Sequence, residues 1–362
     1  MKHIARKEIF KIKPYIPGKP IEEVKRELGL DEAIKLASNE NAFSPSGKAM
    51  NAAKNALRFL NRYPDGGCFY LKKALAKRLR VKPENLIIGN GSDEIIILTL
   101  NAFLNKGDEV IIAKPTFLIY EIASRIRGAK IKFAPLKDLR YDVKAMVKLV
   151  TRKTKLIFIA NPDNPIGTYV TKEEVDFLVS KTPKNTILFF DEAYYEFAKD
   201  LKDYPGTFKY LRKNKNVIIA RSFSKAYSLA GARIGYGIAG RAFIDCLNRV
   251  REPFNVNSIA QAAALASLDD EKHLEKTLKN TEKGKKYLYK ELENLGIKYV
   301  PSVTNFILIN SGTNAGQIYK KLLKLGIIVR EMSGWKLDNF IRVTIGTMGE
   351  NRKFIKALKQ VL

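Results

Sequence analysis

The chain has 362 residues, 46% of them hydrophobic and 28% charged, a length beyond what one hydrophobic core organises and a balance typical of globular proteins. No apolar run approaches the roughly 20 residues needed to cross a bilayer, and the basic N-terminus lacks the apolar stretch of a secretory signal; a membrane protein is excluded and a cytoplasmic location expected. Cys68 and Cys246 lie far apart in no ligand-spaced motif, which excludes a disulfide framework or zinc site, and the net charge of +28 is scattered over solvated helical faces instead of forming an aromatic-interleaved nucleic-acid module.

In chain order, Pro14, Pro17 and Pro20 first impose an extended segment. Short apolar, β-branched runs then alternate with helical patterns, which is the signature of an α/β fold. Strands are predicted at residues 86–88, 109–113, 130–133, 156–160, 186–190, 217–220 and 234–239. Their continuous apolar character implies a mostly parallel sheet covered by helices on both faces. Helices are predicted at 93–104, at 116–125 with Thr116 as a cap, and at 172–180, opened by Thr171 and Glu174 at capping-box spacing. From residue 257 a long helix-rich stretch to 295 is followed by separate strands at 299–309 and 327–330. The expected division is a segment 1–40 packing with the small domain, a large domain 41–256, and a smaller α+β domain 257–362.

Four features at the ends of predicted strands carry chemistry. Gly89-Asn90-Gly91-Ser92-Asp93-Glu94 places glycines before a helix, where exposed amides bind phosphate. Asn161-Pro162-Asp163-Asn164-Pro165-Ile166-Gly167 forces a turn whose asparagine amide is placed to donate to a phenolate oxygen. Asp191 follows a strongly apolar strand, where a carboxylate pairs with a protonated pyridine nitrogen; Tyr194, three residues on, is placed to bind the ring's phenolic oxygen. Ser222-Phe223-Ser224-Lys225 follows the next strand, with Arg233 eight residues later: hydroxyls and a guanidinium for a phosphate, and a lysine whose desolvation favours the neutral, nucleophilic amine. Each feature alone also reads as a polar loop, a helix cap or a structural turn. All four fall at the carboxyl edge of one sheet, where ligand sites of open α/β sheets lie, and this favours the chemical reading.

With Lys13-Pro14-Tyr15-Ile16-Pro17-Gly18-Lys19-Pro20, Ser38-Asn39-Glu40-Asn41, Arg62-Tyr63-Pro64-Asp65-Gly66 and Pro115-Thr116-Phe117, these motifs make the chain resemble the fold-type I pyridoxal-phosphate aminotransferases. Among them the resemblance is to the histidinol-phosphate aminotransferase family, over nearly the whole length. It implies pyridoxal 5'-phosphate held by Lys225 as a Schiff base, with Lys225 also shuttling the proton. It further implies Asp191 on the ring nitrogen, Asn164 and Tyr194 on the phenolic oxygen, and Phe117 stacked on the ring. Gly91, Ser92, Asp93, Ser222, Ser224 and Arg233 are the implied phosphate site, and Tyr63 is implied to reach the cofactor phosphate of a second subunit in a homodimer. Arg342 matches the position that grips a substrate carboxylate and Arg330 the one that holds the substrate phosphate; Tyr15 is implied at the imidazole or phosphate end, with a lid or packing strand the other reading of its Pro-rich segment.

The substrates so implied are small molecules, histidinol phosphate with 2-oxoglutarate or glutamate, and neither nucleic acid nor membrane is an expected partner. Asp163, Ile166, Ser228 and Ala232 depart from the usual family residues, and Asp163 adds a carboxylate beside the cofactor loop. An aromatic amino-acid aminotransferase of the same fold is the nearest rival reading. An amino-acid phosphate decarboxylase and a non-catalytic nucleic-acid-binding protein are more remote.

Overall fold

A computed structural model describes residues 4–213, 216–312 and 314–362. Its strands, in chain order, are β1 (Ile34–Lys35), β2 (Leu86–Gly89), β3 (Glu109–Lys114), β4 (Lys130–Lys137), β5 (Arg140–Tyr141), β6 (Thr154–Ala160) and β7 (Ile187–Asp191). They continue with β8 (Val217–Ser222), β9 (Gly235–Ala239), β10 (Tyr299–Val300), β11 (Phe306–Asn310), β12 (Ile327–Ile328), β13 (Arg330–Glu331) and β14 (Phe340–Thr344). Eight of these form one sheet in the order β2-β9-β8-β7-β6-β3-β4-β5. Only β9 and β5 run against the rest. Every residue of β7 and β8 is buried. Successive strand residues point to opposite faces, so the sheet is covered on both sides, as its apolar runs predict.

Local signals set the helix ends. Thr171 accepts the amide of Glu174 while the Glu174 carboxylate accepts the amide of Thr171, and this capping box opens the helix Lys172–Lys181 as expected. Thr116 does not cap the helix predicted at 116–125. That helix begins at Leu118, and the Thr116 hydroxyl donates instead to buried Asp163 at 2.9 Å. An exposed helix amide can be satisfied by water, whereas a buried carboxylate needs a protein donor.

A smaller antiparallel sheet, β10-β11-β14-β13, carries the second core, in which Ile307, Ile309, Ile341 and Val343 pack on Leu288, Phe354 and Leu358. The strand predicted at 299–309 is two strands, β10 and β11, paired antiparallel. That predicted at 327–330 is divided between β12, which pairs with β1 of the N-terminal segment, and β13, which pairs with β14. The cores do not change at residue 257. Ala260, Ala263, Ala264 and Leu268, on the helix Ser258–Leu268, belong to the large core with Leu274, whereas Leu288 and Leu292 of the helix Glu271–Asn294 belong to the small one. We place the division within that 24-residue helix.

At Gly235, the first residue of β9, an added Cβ would stand 2.6 Å from the amide nitrogen of Ser92 and 2.8 Å from the carbonyl of Arg221. Both are main-chain atoms, so the strand and the first turn of the helix Ser92–Phe103 must move apart to admit it. Gly235→Ala is expected to destabilise the fold by about 1–3 kcal/mol, read as a lowered melting temperature against wild type.

Candidate active site

The sheet direction assembles the site. β2, β3, β6, β7 and β8 all end at one edge, and β9, running the other way, begins there. Ser92 and Asp93, Phe117, Asn164, Asp191, and Ser222 with Lys225 thus lie at or just after five strand ends, and Arg233 lies two residues before the sixth strand. A cavity of about 350 Å³ opens among them, lined by Phe117, Asn164, Asp191, Tyr194, Lys225 and Arg233.

The Lys225 amine donates to the carbonyl of Ser38 at 3.2 Å. Its pKa falls to about 8, first because burial disfavours the charged form and then because the Arg342 cation faces it. The loop that carries it is held by Asn41, whose amide donates to the carbonyls of Lys225 and Ala226 at 3.0 and 3.2 Å. Asp191 accepts the Tyr120 hydroxyl at 2.7 Å and the Ala193 amide at 3.1 Å. Burial raises its carboxyl to about 6 against the lowering effect of those donors, leaving it mostly ionised at neutral pH. Tyr120 is itself fixed by stacking on Phe158, with ring centroids 4.5 Å apart.

Tyr194 is buried and accepts the side-chain amide of Asn39 at 2.8 Å, which leaves its hydroxyl proton free to be donated. Asn39 is anchored by the Thr344 hydroxyl, which accepts its main-chain amide at 2.9 Å. Asn164 uses its carbonyl oxygen to accept from Arg342, so its NH₂ group is the end left for a ligand. Arg342 also donates to the Ala37 carbonyl at 3.0 Å and lies over the Phe306 ring at 5.1 Å. Burial lowers its pKa to about 10, so it remains a cation at neutral pH.

At the other end of the cavity, Gly91 has φ +81° and no room for a side chain, because a Cβ would lie 2.7 Å from Nη2 of Arg233. Arg233 pairs with Asp93 at 3.6 Å, and the Ser222 hydroxyl accepts the Ser224 amide at 3.0 Å. A helix N-terminus, three serines and a guanidinium that Gly91 allows to pack closely therefore stand together, a donor set that fits a phosphate dianion. The whole cavity, with a desolvated amine, an ionised carboxylate and an aromatic wall at Phe117, fits a phosphorylated pyridine aldehyde.

The remaining predicted residues lie outside this cavity. Arg330 donates to the Ile16 carbonyl at 2.7 Å and sits 5.7 Å from the Tyr15 ring centroid. Tyr63 is 83% exposed and stacks on Phe254, centroids 4.7 Å apart. Asp163 is fully enclosed, accepting from Thr116, Tyr141 and the Ile166 amide. Burial lifts its carboxyl to about 7, so the extra negative charge expected there is only partly expressed near neutrality. Tyr120 and Asn39 are the contacts that the sequence reading missed. The helical spacing of Phe117 and Tyr120 was the available signal for Tyr120, and Ser38–Asn41 was legible only as a motif.

Comparison with known proteins agrees with this geometry. Residues 31–358 match the family described as aminotransferase class I and II. A histidinol-phosphate aminotransferase of Moorella thermoacetica is 47% identical over 99% of this chain and 93% of its own. One from Caldicellulosiruptor saccharolyticus is 45% identical over 99% of both chains. The crystal structure of the histidinol-phosphate aminotransferase of Sinorhizobium meliloti in complex with pyridoxal-5'-phosphate superposes with a TM-score of 0.90 at 28% identity, covering 99% of this chain and 97% of that one. Matched over nearly its whole length by sequence and by fold, the chain belongs to the class I and II aminotransferases and, among them, to the histidinol-phosphate aminotransferase family.

Proposed function

We propose that the chain is a pyridoxal-phosphate-dependent transaminase that interconverts L-histidinol phosphate and 2-oxoglutarate with imidazole acetol phosphate and L-glutamate, in histidine biosynthesis. The observation that carries this reading is the buried Lys225 amine with its pKa near 8, set between the carboxylate of Asp191 and the phosphate-fitting recess, in a chain whose relatives bear that name. A cytoplasmic location goes with that role, and no helix among the described residues is long and apolar enough to cross a membrane.

Pyridoxal phosphate supplies an aldehyde that captures amines and a conjugated ring that delocalises the charge left when a proton departs. The residues around it hold and tune it. Ser92, Ser222, Ser224 and Arg233, with the main-chain amide of Asp93 at the helix N-terminus, would hold the phosphate, and Gly91 leaves room for the Arg233 guanidinium. Asp191 keeps a negative charge at the ring nitrogen because Tyr120 and the Ala193 amide stabilise its ionised form. Asn164 and Tyr194 would donate to the phenolic oxygen, and Phe117 would cover one face of the ring. Lys225 would hold the aldehyde and, once released from it, would take and return the substrate's proton, a task suited to an amine whose two protonation states are close in energy near pH 8. Arg342 grips the carboxylate of glutamate. Arg330, with Tyr15 beside it, takes the distal anion, which is the phosphate of one substrate and the side-chain carboxylate of the other.

Leu57, Phe59, Leu60, Phe69 and Tyr70 are exposed near Tyr63 in sequence, an apolar surface that a second copy of the chain would cover. In that homodimer Tyr63 reaches the phosphate in the neighbouring subunit.

Substrate identity is tested by half-reaction rates, followed through the cofactor absorbance, with histidinol phosphate and with phenylalanine. Histidinol phosphate is expected to react the faster, and Arg330→Ala to lower its kcat/KM by about 10–100-fold, more than that of phenylalanine. A preference for phenylalanine would establish the aromatic reading instead.

Lys225→Ala is expected to lower turnover by about 10³-fold or more and to abolish borohydride trapping of the cofactor on the protein. With the pKa lowered from 10.5 to about 8, the amine is neutral above pH 8, so cofactor capture by the apoprotein should rise with pH and level off there. Arg342→Leu removes a nearby cation and is expected to move that midpoint upward.

Subunit sharing is tested by mixing Lys225→Ala chains with Tyr63→Ala chains. Hybrid dimers hold one site free of both changes, so activity should exceed that of either parent, whereas separate sites predict none of this recovery.

A further inference from the structure

Trp335, the only tryptophan in the sequence, has no part in the function proposed above. It ends the short 3-10 turn Ser333–Trp335 that follows β13, and it is buried against Ile166, Leu308 and Met332. Two contacts fix its ring. The indole N–H donates to the main-chain carbonyl of Thr116 at 2.8 Å, reaching from the small domain to the residue that precedes Phe117. The Arg330 guanidinium lies over the indole at 5.1 Å from its centroid. A buried indole seeks a partner for its one donor, and a guanidinium rests on an aromatic face while its N–H groups stay in its own plane.

These contacts give Arg330 a defined distance from the cofactor end of the site. One of its amino groups is occupied by the Ile16 carbonyl, and its Nε is buried without a partner. Stacking on Trp335 restricts the directions in which the free donors point. Thr116 in turn is not free to drift, because its hydroxyl is bonded to Asp163, the neighbour of Asn164. The indole thus joins the small-domain cation to the same loops that carry Phe117 and Asn164.

We infer that Trp335 is a positioning residue that sets substrate specificity: it fixes the reach between the Arg330 anion site and the cofactor ring, favouring amino compounds with a phosphomonoester at one set distance from the reacting amine. The inference rests on the assignment of Arg330 to the substrate's distal anion. Phenylalanine at this position keeps the aromatic face and loses the N–H, whereas leucine loses both.

The test is steady-state kinetics of the holoenzyme with histidinol phosphate and with phenylalanine, for wild type, W335F, W335L and R330A, alongside melting temperature and cofactor absorbance. W335L is expected to lower the histidinol phosphate to phenylalanine ratio of kcat/KM by about tenfold, mainly through KM for the phosphate, and W335F by about threefold, a partial rescue. If R330A loses selectivity while both Trp335 variants keep the wild-type ratio, or lose both substrates equally, the inference is overturned and the reading of Arg330 stands. If R330A itself keeps the ratio, that reading fails and this inference with it. Should W335L not fold, the ratio in W335F decides.

Discussion

Behind the catalytic edge lies a buried ion pair on which the spacing of the site depends. Glu192 immediately follows Asp191 at the end of β7, and Arg221 immediately precedes Ser222 at the end of β8. The guanidinium meets Oε2 of Glu192 through two nitrogens at 2.7 and 2.8 Å, with both side chains almost wholly enclosed. The other carboxylate oxygen accepts the Thr207 hydroxyl at 2.6 Å, and the Tyr195 ring covers the guanidinium at 3.3 Å. Two charges removed from water this completely persist only when each is paired and its remaining valences are met. That requirement holds the two strand ends in one relation, and so sets the carboxylate of Asp191 against the serines and lysine that follow Arg221.

The site in front of this pair works by an opposite principle. Burial drives its acids upward and its bases downward: Asp191 to about 6, Asp163 to about 7, Lys225 to about 8 and Arg342 to about 10. Glu192 and Arg221 settle charge by pairing with each other. The reacting groups are partnered mainly by neutral donors and acceptors, namely Tyr120 for Asp191, the Ser38 carbonyl for Lys225, and Asn164 and the Ala37 carbonyl for Arg342. Neutral partners orient a group without fixing its charge. Lys225 therefore stays able to gain and lose a proton, and Arg342 is held by contacts that leave its charge unpaired.

What the sequence disclosed and what it withheld follow from the range of the interactions. Strands that are apolar on both faces, the capping box at Thr171 and the turn at Pro162–Gly167 are local, and were legible. So was the gathering of polar residues at strand ends, because parallel topology delivers all of them to one edge once the strands are known. Tyr120 with Asp191, Asn39 with Tyr194 and Trp335 with Thr116 are separated by 71, 155 and 219 residues. No periodicity encodes such pairs. The expected cap at Thr116 failed for a related reason: a hydroxyl with a local use was taken by the more demanding, distant carboxylate of Asp163. At residue 257 the change to helix-rich sequence precedes the change of core, and one long helix serves both cores.

The large positive charge can now be weighed against these few buried groups. Most of the ion pairs that its lysines and arginines make are partly or fully exposed, such as Lys279 with Glu275 and Lys353 with Glu32, and such pairs contribute little and are screened by salt. A surplus of this sign attracts anions in general and cannot choose among them. Choice requires a cation in a fixed place. Arg342 has one because Asn164 and Ala37 hold it, and Arg330 because Ile16 and two aromatic rings do. Both stand on small-domain strands, β13 and β14, and both are tied to loops of the large domain or to the N-terminal segment. The distance between the two cations is therefore a property of the assembled fold.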